Sequence, residues 1–462
     1  MDEASFIFWG TFVFAWLTYL WETYLSVRQY RIHKATTNRP VEVQDIMDAE
    51  SFSKARAYKL DKHVFGFVAG AWSQFETSMV LLFGLIPWFW RVSGNICAKF
   101  HYSHEYEIMQ SLVFVVITTV ITTVMSLPWN IYDTFVIEEK HGFNKQTLGF
   151  FIKDNVKKFF VSMTIGLPIT AAVLWIVRSG GEYFFLYLWV FCSITVLFFM
   201  TIYPEFIAPL FDKYTPLPDG QLRSDIEKLA SSLDFPLKKL YVVEGSKRSA
   251  HSNAYLYGIW NNKRIVLYDT LVRSYSPLSN MESKENTNTG DQENEEAPLT
   301  ENTQAPNEKE KGCTDDEIVA VLGHELGHWK KNHNIYNIIM SEANLFLCFT
   351  VFAYLYKRQS LYVAFGFTDS QPTLIGLLII FQFIFAPYNE ILSFVITVWT
   401  RMMEFQADAF AAGLGYAKLL GSALIRLSQD NLSLPVDDWL FSMYHYSHPP
   451  LLERLAALKK YE

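Results

Sequence analysis

The sequence predicts an α-helical multi-pass membrane protein with seven transmembrane helices and a cytosol-facing portion that contains a small antiparallel sheet. Three observations support this fold class. Hydrophobic residues make up 50% of the 462 residues, and aromatic residues make up 16%. The apolar residues are concentrated in uncharged runs of about 20, which is long enough to cross a bilayer core. Basic residues are distributed unequally between the segments that separate these runs.

Seven apolar runs are the candidate membrane spans. They cover residues 6–21, 71–90, 111–129, 159–177, 183–202, 335–356 and 373–398. The first follows the acidic start MDEAS and is not followed by a small-residue cleavage site, so we interpret it as a retained anchor rather than a signal peptide. The predicted organisation is five spans in 1–202, a soluble segment in 203–334, two spans in 335–400 and a second soluble segment in 401–462.

The basic residues predict the orientation in the membrane. Segments 25–70 and 130–158 together contain 13 Lys and Arg, whereas segments 91–110, 178–182 and 357–372 together contain 5. Because cytosolic loops carry the excess of basic residues, the first group is predicted to be cytosolic. This places the amino terminus in the lumen, and both soluble segments and the carboxyl terminus in the cytosol.

The formal net charge of −8 is concentrated in one segment. Residues 281–311 contain nine acidic residues and three lysines, so the rest of the chain is nearly neutral. No basic stripe is present in the sequence, which predicts no nucleic-acid partner. The segment 280–314 is rich in Glu, Asn, Thr and Pro and poor in large apolar residues, which predicts a disordered cytosolic loop.

Three short β-like runs precede this loop. They are KKLYVVEG, SNAYLYGIW and RIVLYDTL, and the sequence NNK between the last two is typical of a tight turn. The runs predict a small antiparallel sheet that packs beside helices.

The segment after the loop, TDDEIVAVLGHELGHW, has the features of a helix start. Thr314 and Glu317 form a capping-box pattern. On this helix His324 and His328 are four residues apart and project from one face, so both imidazoles can bind one metal ion. Glu325 is rotated by about 100° and is placed to hold a water rather than to bind the metal. Zinc suits such a site, since three protein ligands leave a fourth position for water. An ordinary polar helix face is the alternative interpretation.

A third ligand is available in the segment MMEFQADAFA, which follows the last span. Glu404 is the candidate ligand, and Asp408, one turn later, is placed to accept a hydrogen bond from a ligating imidazole. A solvated acidic helix face is the alternative. His328 lies seven residues before the sixth span and Glu404 six residues after the seventh. Both are therefore expected within roughly 10 Å of the membrane boundary.

Four further polar residues are candidates for a role in chemistry or binding. His448, in HYSHPPLLER, stands before two prolines and could donate to an oxyanion, with His445 as an alternative and a structural imidazole as the other interpretation. Arg454, six residues later, is a candidate substrate-binding residue. Asn253 could hydrogen-bond the backbone of an extended peptide at a sheet edge, or be a turn or core asparagine. Glu390, within the last span, is expected to face a polar cavity or to pair with a Lys or Arg.

With VLGHELGHW, EFQADAFA and HYSHPPLLER, the sequence resembles the CAAX prenyl proteases of the first type, the zinc metalloproteases that form subfamily A of peptidase family M48. Further stretches are similar to the animal members: YLWETYL, FVIEEKHGFNKQTLGFF, PLFDKYTPLP, VVEGSKRSAHSNAYLYG and FSMYHYSHPPLLER. The resemblance covers essentially the whole chain.

The resemblance implies seven helices that enclose a water-filled chamber in the membrane, capped by a zincin-like metallopeptidase domain. It implies substrates that end in a prenylated Cys followed by three residues, which the enzyme removes, and a second, upstream cut, as for farnesylated lamin precursors in animals. It also implies a location in the endoplasmic reticulum and inner nuclear membranes. Lys459 and Lys460, near the end of the chain, match a dilysine retrieval pattern, although a basic surface is the alternative.

The resemblance also implies a role for each candidate residue. Zinc, one ion per chain, would be bound by His324, His328 and Glu404. The other roles are general base for Glu325, support of a ligand for Asp408, stabilisation of the transition state for His448 and contact with the substrate backbone for Asn253. Two other functions remain as alternatives. One is a membrane quality-control protease that cuts unprenylated chains, and the other is a transporter or structural protein in which zinc only braces helices.

Overall fold

The computed structural model describes residues 2–102, 105–258, 262–273 and 311–462. The predicted loop at 280–314 therefore lies outside the described residues except at its last four positions. The α-helices are α1 Glu3–Ala35, α2 Ala49–Leu82, α3 Leu85–Lys99, α4 Glu107–Tyr132, α5 Leu148–Ser179, α6 Phe184–Ile202, α7 Gln221–Ser232, α8 Asp315–Lys330, α9 His333–Leu355, α10 Gln359–Ala364, α11 Thr373–Leu378, α12 Ala386–Ala411, α13 Ala417–Asp430, α14 Trp439–His445 and α15 Leu451–Leu458. The strands are β1 Tyr214–Pro216, β2 Leu237–Val243, β3 Ala254–Tyr257 and β4 Lys263–Tyr268.

The membrane portion agrees with the predicted number of spans. Among the described residues, six helices are long and apolar enough to cross a membrane, or seven if the bent pair α2 and α3 forms one span. Several of these helices are longer than a bilayer requires: α1 has 33 residues, or about 50 Å. Large apolar side chains such as Leu17, Phe160 and Ile194 remain exposed on them, as expected of surfaces that contact lipid.

The second predicted span, 71–90, is not one straight helix, and this is a correction. α2 ends at Leu82, α3 begins at Leu85, and the two helices are bent by 67°. Gly84 has a φ of 58°, a left-handed conformation through which an α-helix cannot continue. Pro87 lies in the first turn of α3, where its missing N–H costs no hydrogen bond. The glycine three residues before a proline is the sequence signal for this break.

The sheet is mixed, so the prediction of an antiparallel sheet is only partly right. The strand order is β1-β2-β4-β3. β3 and β4 form the predicted antiparallel hairpin, but β2 and β4 are parallel. The reason is that the chain crosses after β2 and first forms the outer strand β3, so β4 returns between them in the direction of β2. Residues 265–267 of β4 are fully buried, which is typical of a central strand.

Strand β1 was not predicted, because it is only three residues long and ends in a proline, which confines it to a sheet edge. It pairs antiparallel with β2. Of the predicted NNK turn, Asn261 lies outside the described residues. The sheet packs with α7, α8 and α13 around one apolar core, in which Ile265 and Ile318 are fully buried.

Helix α8 begins as predicted. The Thr314 hydroxyl accepts a hydrogen bond from the Glu317 N–H at 3.3 Å, and the Glu317 carboxylate accepts one from the Thr314 N–H at 2.8 Å. Ser422 of α13 donates to the other carboxylate oxygen of Glu317. The cap therefore fixes both the start of α8 and its contact with α13.

Replacing Thr314 by Ala should loosen the first turn of α8. Loss of the cap costs about 1 kcal/mol, so amide hydrogen exchange in residues 315–318 should be about fivefold faster, as measured by mass spectrometry. Thr314→Ser keeps the hydroxyl and should exchange like the unmodified protein. Equal exchange in the Ala and Ser variants would show that the cap does not limit opening of this turn.

Candidate active site

Three of the candidate residues lie on α8, in the section of this helix that packs closely against α12. A methyl group added to Gly327 would lie 3.1 Å from the Phe410 ring and 3.2 Å from the Ala407 backbone. One added to Gly323 would lie 3.3 Å from the ring of Tyr416. Both distances are shorter than ordinary contacts. Glycine at these positions therefore permits the approach of α12 at Gly327 and of Tyr416 at Gly323, despite its low helix propensity. The two glycines in the sequence LGHELGH were thus a signal for close packing.

The structure brings the three candidate metal ligands together. One nitrogen or oxygen atom of each of His324, His328 and Glu404 lies within 4.8 Å of the others. Glu404 Oε1 is 3.2 Å from His328 Nε2, and Glu404 Oε2 is 3.5 Å from His324 Nε2. His324 is 6% exposed and Glu404 3%. These side chains meet at the buried contact between α8 and α12.

The arrangement fits a divalent metal ion. Glu404 Oε2 is buried and has no hydrogen-bond donor among the described residues. The two Nε2 atoms of His324 and His328 are 3.2 Å apart and face this carboxylate. A buried carboxylate oxygen without a hydrogen-bond donor is costly, and a cation bound between these three groups would offset that cost. Two imidazole nitrogens and one carboxylate oxygen form a common ligand set for zinc.

Asp408 and Arg454 hold His324 in one orientation. His324 Nδ1 donates to Asp408 Oδ1 at 2.8 Å. Arg454 donates to both oxygens of Asp408, from Nε at 2.8 Å and from Nη2 at 2.7 Å. With the proton on Nδ1, the lone pair of Nε2 is directed toward Glu404, as a metal ligand requires. Asp408 thus accepts a hydrogen bond from His324, and its role in supporting a metal ligand stays a prediction.

Arg454 pairs with another side chain of the site. It was a candidate substrate-binding residue, but it is 8% exposed and its guanidinium forms a bidentate pair with Asp408. The physical reason is that Asp408 is a buried carboxylate that needs more than one donor. Arg454 therefore supports Asp408, while its contact with a substrate stays a prediction.

His333 is a functional candidate that the sequence analysis missed. Its Nδ1 is 2.9 Å from Nδ1 of His328, and its Nε2 donates to Gln406 Oε1 at 3.1 Å. His328 then donates from Nδ1 to His333, which leaves the Nε2 lone pair of His328 for a metal ion. Asn332 has a φ of 59° and turns the chain between α8 and α9. The signal available in the sequence was a third histidine, five residues after HELGH.

Glu325 and His448 lie beside the metal triad. Glu325 is half-buried and lines the cleft that leads to the triad, and burial raises the pKa of its carboxyl. A raised pKa suits a carboxylate that must accept and then release a proton. His448 is largely exposed, with its Nε2 3.5 Å from Glu404 Oε1. His445, the alternative to His448, contacts Glu22 instead at 3.2 Å.

The remaining two candidates occupy different places. Asn253 immediately precedes edge strand β3 and lines the same cleft as Glu325. Its side-chain oxygen accepts a hydrogen bond from the N–H of Ala254 at 2.8 Å. Glu390 accepts a hydrogen bond from the hydroxyl of Tyr444 at 2.9 Å. The partner of Glu390 is thus a tyrosine rather than the Lys or Arg that the sequence analysis offered.

Comparison with known proteins gives consistent matches over the whole chain. Residues 29–213 match the family model described as the CAAX prenyl protease N-terminal, five membrane helices, and residues 216–462 match peptidase family M48. The Homo sapiens protein named CAAX prenyl protease 1 homolog is 57% identical over 459 residues, which cover 99% of this chain and 96% of the human one. The Saccharomyces cerevisiae CAAX prenyl protease 1 is 36% identical over 457 residues, which cover 95% of this chain and 92% of that protein. The crystal structure of S. mikatae Ste24p is similar with a TM-score of 0.85 and 35% identity, and the match covers 99% of each chain.

Replacing Glu404 by Ala should remove the metal. Without the carboxylate only two imidazoles remain, so the affinity for a divalent metal ion should fall by more than the 10- to 100-fold typical of supporting residues. Elemental analysis of the purified protein after dialysis measures the metal content. His448→Ala, which alters a neighbouring side chain outside the triad, should retain a full equivalent. A full equivalent in Glu404→Ala would contradict the assignment.

Proposed function

Because this chain belongs to peptidase family M48 and is a metalloprotease, we propose that it removes the last three residues of prenylated CaaX proteins. The observation that carries the proposal is the triad of His324, His328 and Glu404, two of them buried, with Glu325 beside it. The triad lies where α8 and α12 meet, and α12 begins among the apolar helices. A site in this position can act on a peptide whose lipid stays in the membrane. The names of the similar proteins supply the substrate class.

We propose zinc as the metal, one ion per chain, with His324, His328 and Glu404 as its ligands. The two nitrogens and one oxygen match a catalytic zinc site that keeps one position open. Zinc held by these residues would supply Lewis-acid chemistry, which would polarise the scissile carbonyl and make a nearby water more acidic.

The side chains around the triad have separate tasks in peptide hydrolysis. Glu325 takes a proton from the attacking water and gives it to the leaving amine as the peptide bond breaks. His448, at the open side of the cleft, donates to the oxyanion that develops on the scissile carbonyl. Asn253 contacts the backbone of the substrate beside β3. Asp408 and His333 keep the two ligating imidazoles in the required tautomers.

We extend the proposal to a second, upstream cut and, in animals, to farnesylated lamin precursors as substrates. The basis is the resemblance of the whole sequence to the CAAX prenyl proteases. We also propose the endoplasmic reticulum and inner nuclear membranes as the location, with a luminal amino terminus and a cytosolic or nucleoplasmic carboxyl terminus. The distribution of Lys and Arg and the pair Lys459 and Lys460 support this orientation. Segments 203–334 and 401–462 together form the proposed metallopeptidase domain.

Glu325→Gln should separate metal binding from catalysis. The amide cannot accept the proton of the water, so kcat should fall at least about 100-fold, while zinc content stays at one equivalent. The readouts are a fluorogenic farnesylated CaaX peptide and elemental analysis. Glu227→Gln, which changes an exposed glutamate on α7, should keep full activity. Full peptidase activity in Glu325→Gln would refute its assignment as general base.

The substrate class can be tested with one peptide prepared with and without its farnesyl group. The purified protein should cut the farnesylated peptide with the higher kcat/KM and release the last three residues, as identified by mass spectrometry. A zinc chelator should abolish the cut, and added zinc should restore it. Equal cleavage of both forms would favour a quality-control protease. Absence of any cleavage with zinc bound would favour a transporter or structural protein.

A further inference from the structure

The cleft that leads to the metal triad is lined by His324 and Glu325, and also by a lysine that the mechanism above does not use. The cleft has a volume of about 570 Å³, and Lys59 of α2 and Arg454 of α15 both line it. The guanidinium of Arg454 already donates two hydrogen bonds to the carboxylate of Asp408. Lys59 is half-buried, and its nitrogen lies 6.0 Å from the centre of the Tyr58 ring. Within the part of the chain that the structure describes, the Lys59 ammonium donates no hydrogen bond and forms no ion pair.

The two acidic residues that interact electrostatically with Lys59 already have other hydrogen-bond partners. These are Asp437 and Glu138. Glu138 accepts a hydrogen bond from Tyr58 at 2.8 Å, and Asp437 accepts one from Tyr446 at 2.9 Å. A partly desolvated ammonium without a direct anionic partner is costly. An anion that enters the cleft would find in Lys59 a donor that needs no rearrangement of existing pairs.

The sheet indicates which end of a bound peptide would reach this lysine. Among the described residues β3 is the outer strand of the sheet, with no strand paired to its outer edge, so this edge can pair with an extended peptide. In the antiparallel pairing, the carboxyl end of the peptide points toward the residues that precede β3. Ser252 and Asn253 precede β3 and line the cleft together with Lys59. At the other end of β3, Tyr255 and Tyr257 line a separate cavity of about 1130 Å³ beside apolar side chains of α5 and α6.

We propose that the Lys59 ammonium binds the C-terminal carboxylate of the substrate and thereby positions the third peptide bond from the end at the metal. This inference rests on the proposed function. Three residues in extended conformation span about 10 Å, so the carboxylate of a CaaX peptide lies at a fixed distance from the scissile bond. An ion pair with hydrogen bonds at that distance distinguishes a free chain end from a chain that continues. Lys59 is thus a positioning residue for the substrate rather than a participant in bond cleavage.

The experiment compares two farnesylated CaaX peptides, one with a free C-terminal carboxylate and one with a carboxamide. With the zinc-loaded full-length protein, amidation should raise KM about 10- to 100-fold with little change in kcat, because one charge-assisted interaction is lost. In Lys59→Met the two peptides should have the same KM, close to that of the amide with the unmodified protein. Lys59→Arg keeps the charge and should retain the preference for the free carboxylate.

Lys54→Met is the matched control. Lys54 is an exposed lysine on the same helix that pairs with Glu50 at 2.7 Å, and its loss should leave the preference unchanged. A Lys59→Met protein that still prefers the free carboxylate tenfold would overturn the inference. So would an unmodified protein that cuts both peptides with equal KM, although the proposed function would then stand. An unmodified protein that cuts neither peptide would overturn the proposed function and the inference with it.

Discussion

The close contact between α8 and α12 is the constraint on which the candidate site depends. Glycine at position 327 lets the Ala407 backbone approach to within 3.2 Å of where a side-chain carbon would begin. Glu404 lies one turn before Ala407, so this contact brings its carboxylate to the two histidines of α8. A Cβ atom at position 327 would lie 3.1 Å from the Phe410 ring and 3.2 Å from the Ala407 backbone, so these groups of α12 would have to shift to accommodate it. The apolar core around Ile318 and the cap at Thr314 keep α8 in register for this contact.

Two chains of hydrogen bonds extend the contact into the rest of the molecule. One runs from His324 through Asp408 to Arg454, and the other from His328 through His333 to Gln406. Each fixes the proton on the nitrogen that faces away from Glu404. The first chain also explains why the last helix, α15, belongs to the site: Arg454 neutralises a carboxylate that is 1% exposed. A buried negative charge without this partner would be strongly destabilising.

Sequence reasoning found the features that are encoded over short distances. The apolar runs, the cap at Thr314 and the spacing of His324 and His328 depend only on residues a few positions apart, and the structure has each of them. The parallel pairing of β2 with β4 could not be read in this way, because strand order depends on where the chain crosses, and no local pattern encodes it. The pair of Arg454 with Asp408 and the position of Lys59 in the cleft were equally hidden, since the helices that carry the lining residues are distant in sequence. His333 and the break at Gly84 did have local signals, a third histidine and a glycine before a proline.

Helix α12 connects the membrane region to the catalytic region as one uninterrupted helix. It begins at Ala386 among the apolar helices and carries Glu404 18 residues later, about 27 Å along its axis. Over that length, a change in tilt of about 5° displaces the carboxylate by about 2 Å, a full metal–oxygen distance. The tilt of α12 in the bilayer therefore affects the position of the Glu404 carboxylate relative to the two histidines. Bilayer thickness acts on the same tilt. The close packing of Gly327 against Ala407 and Phe410 holds α12 to α8 and limits this displacement.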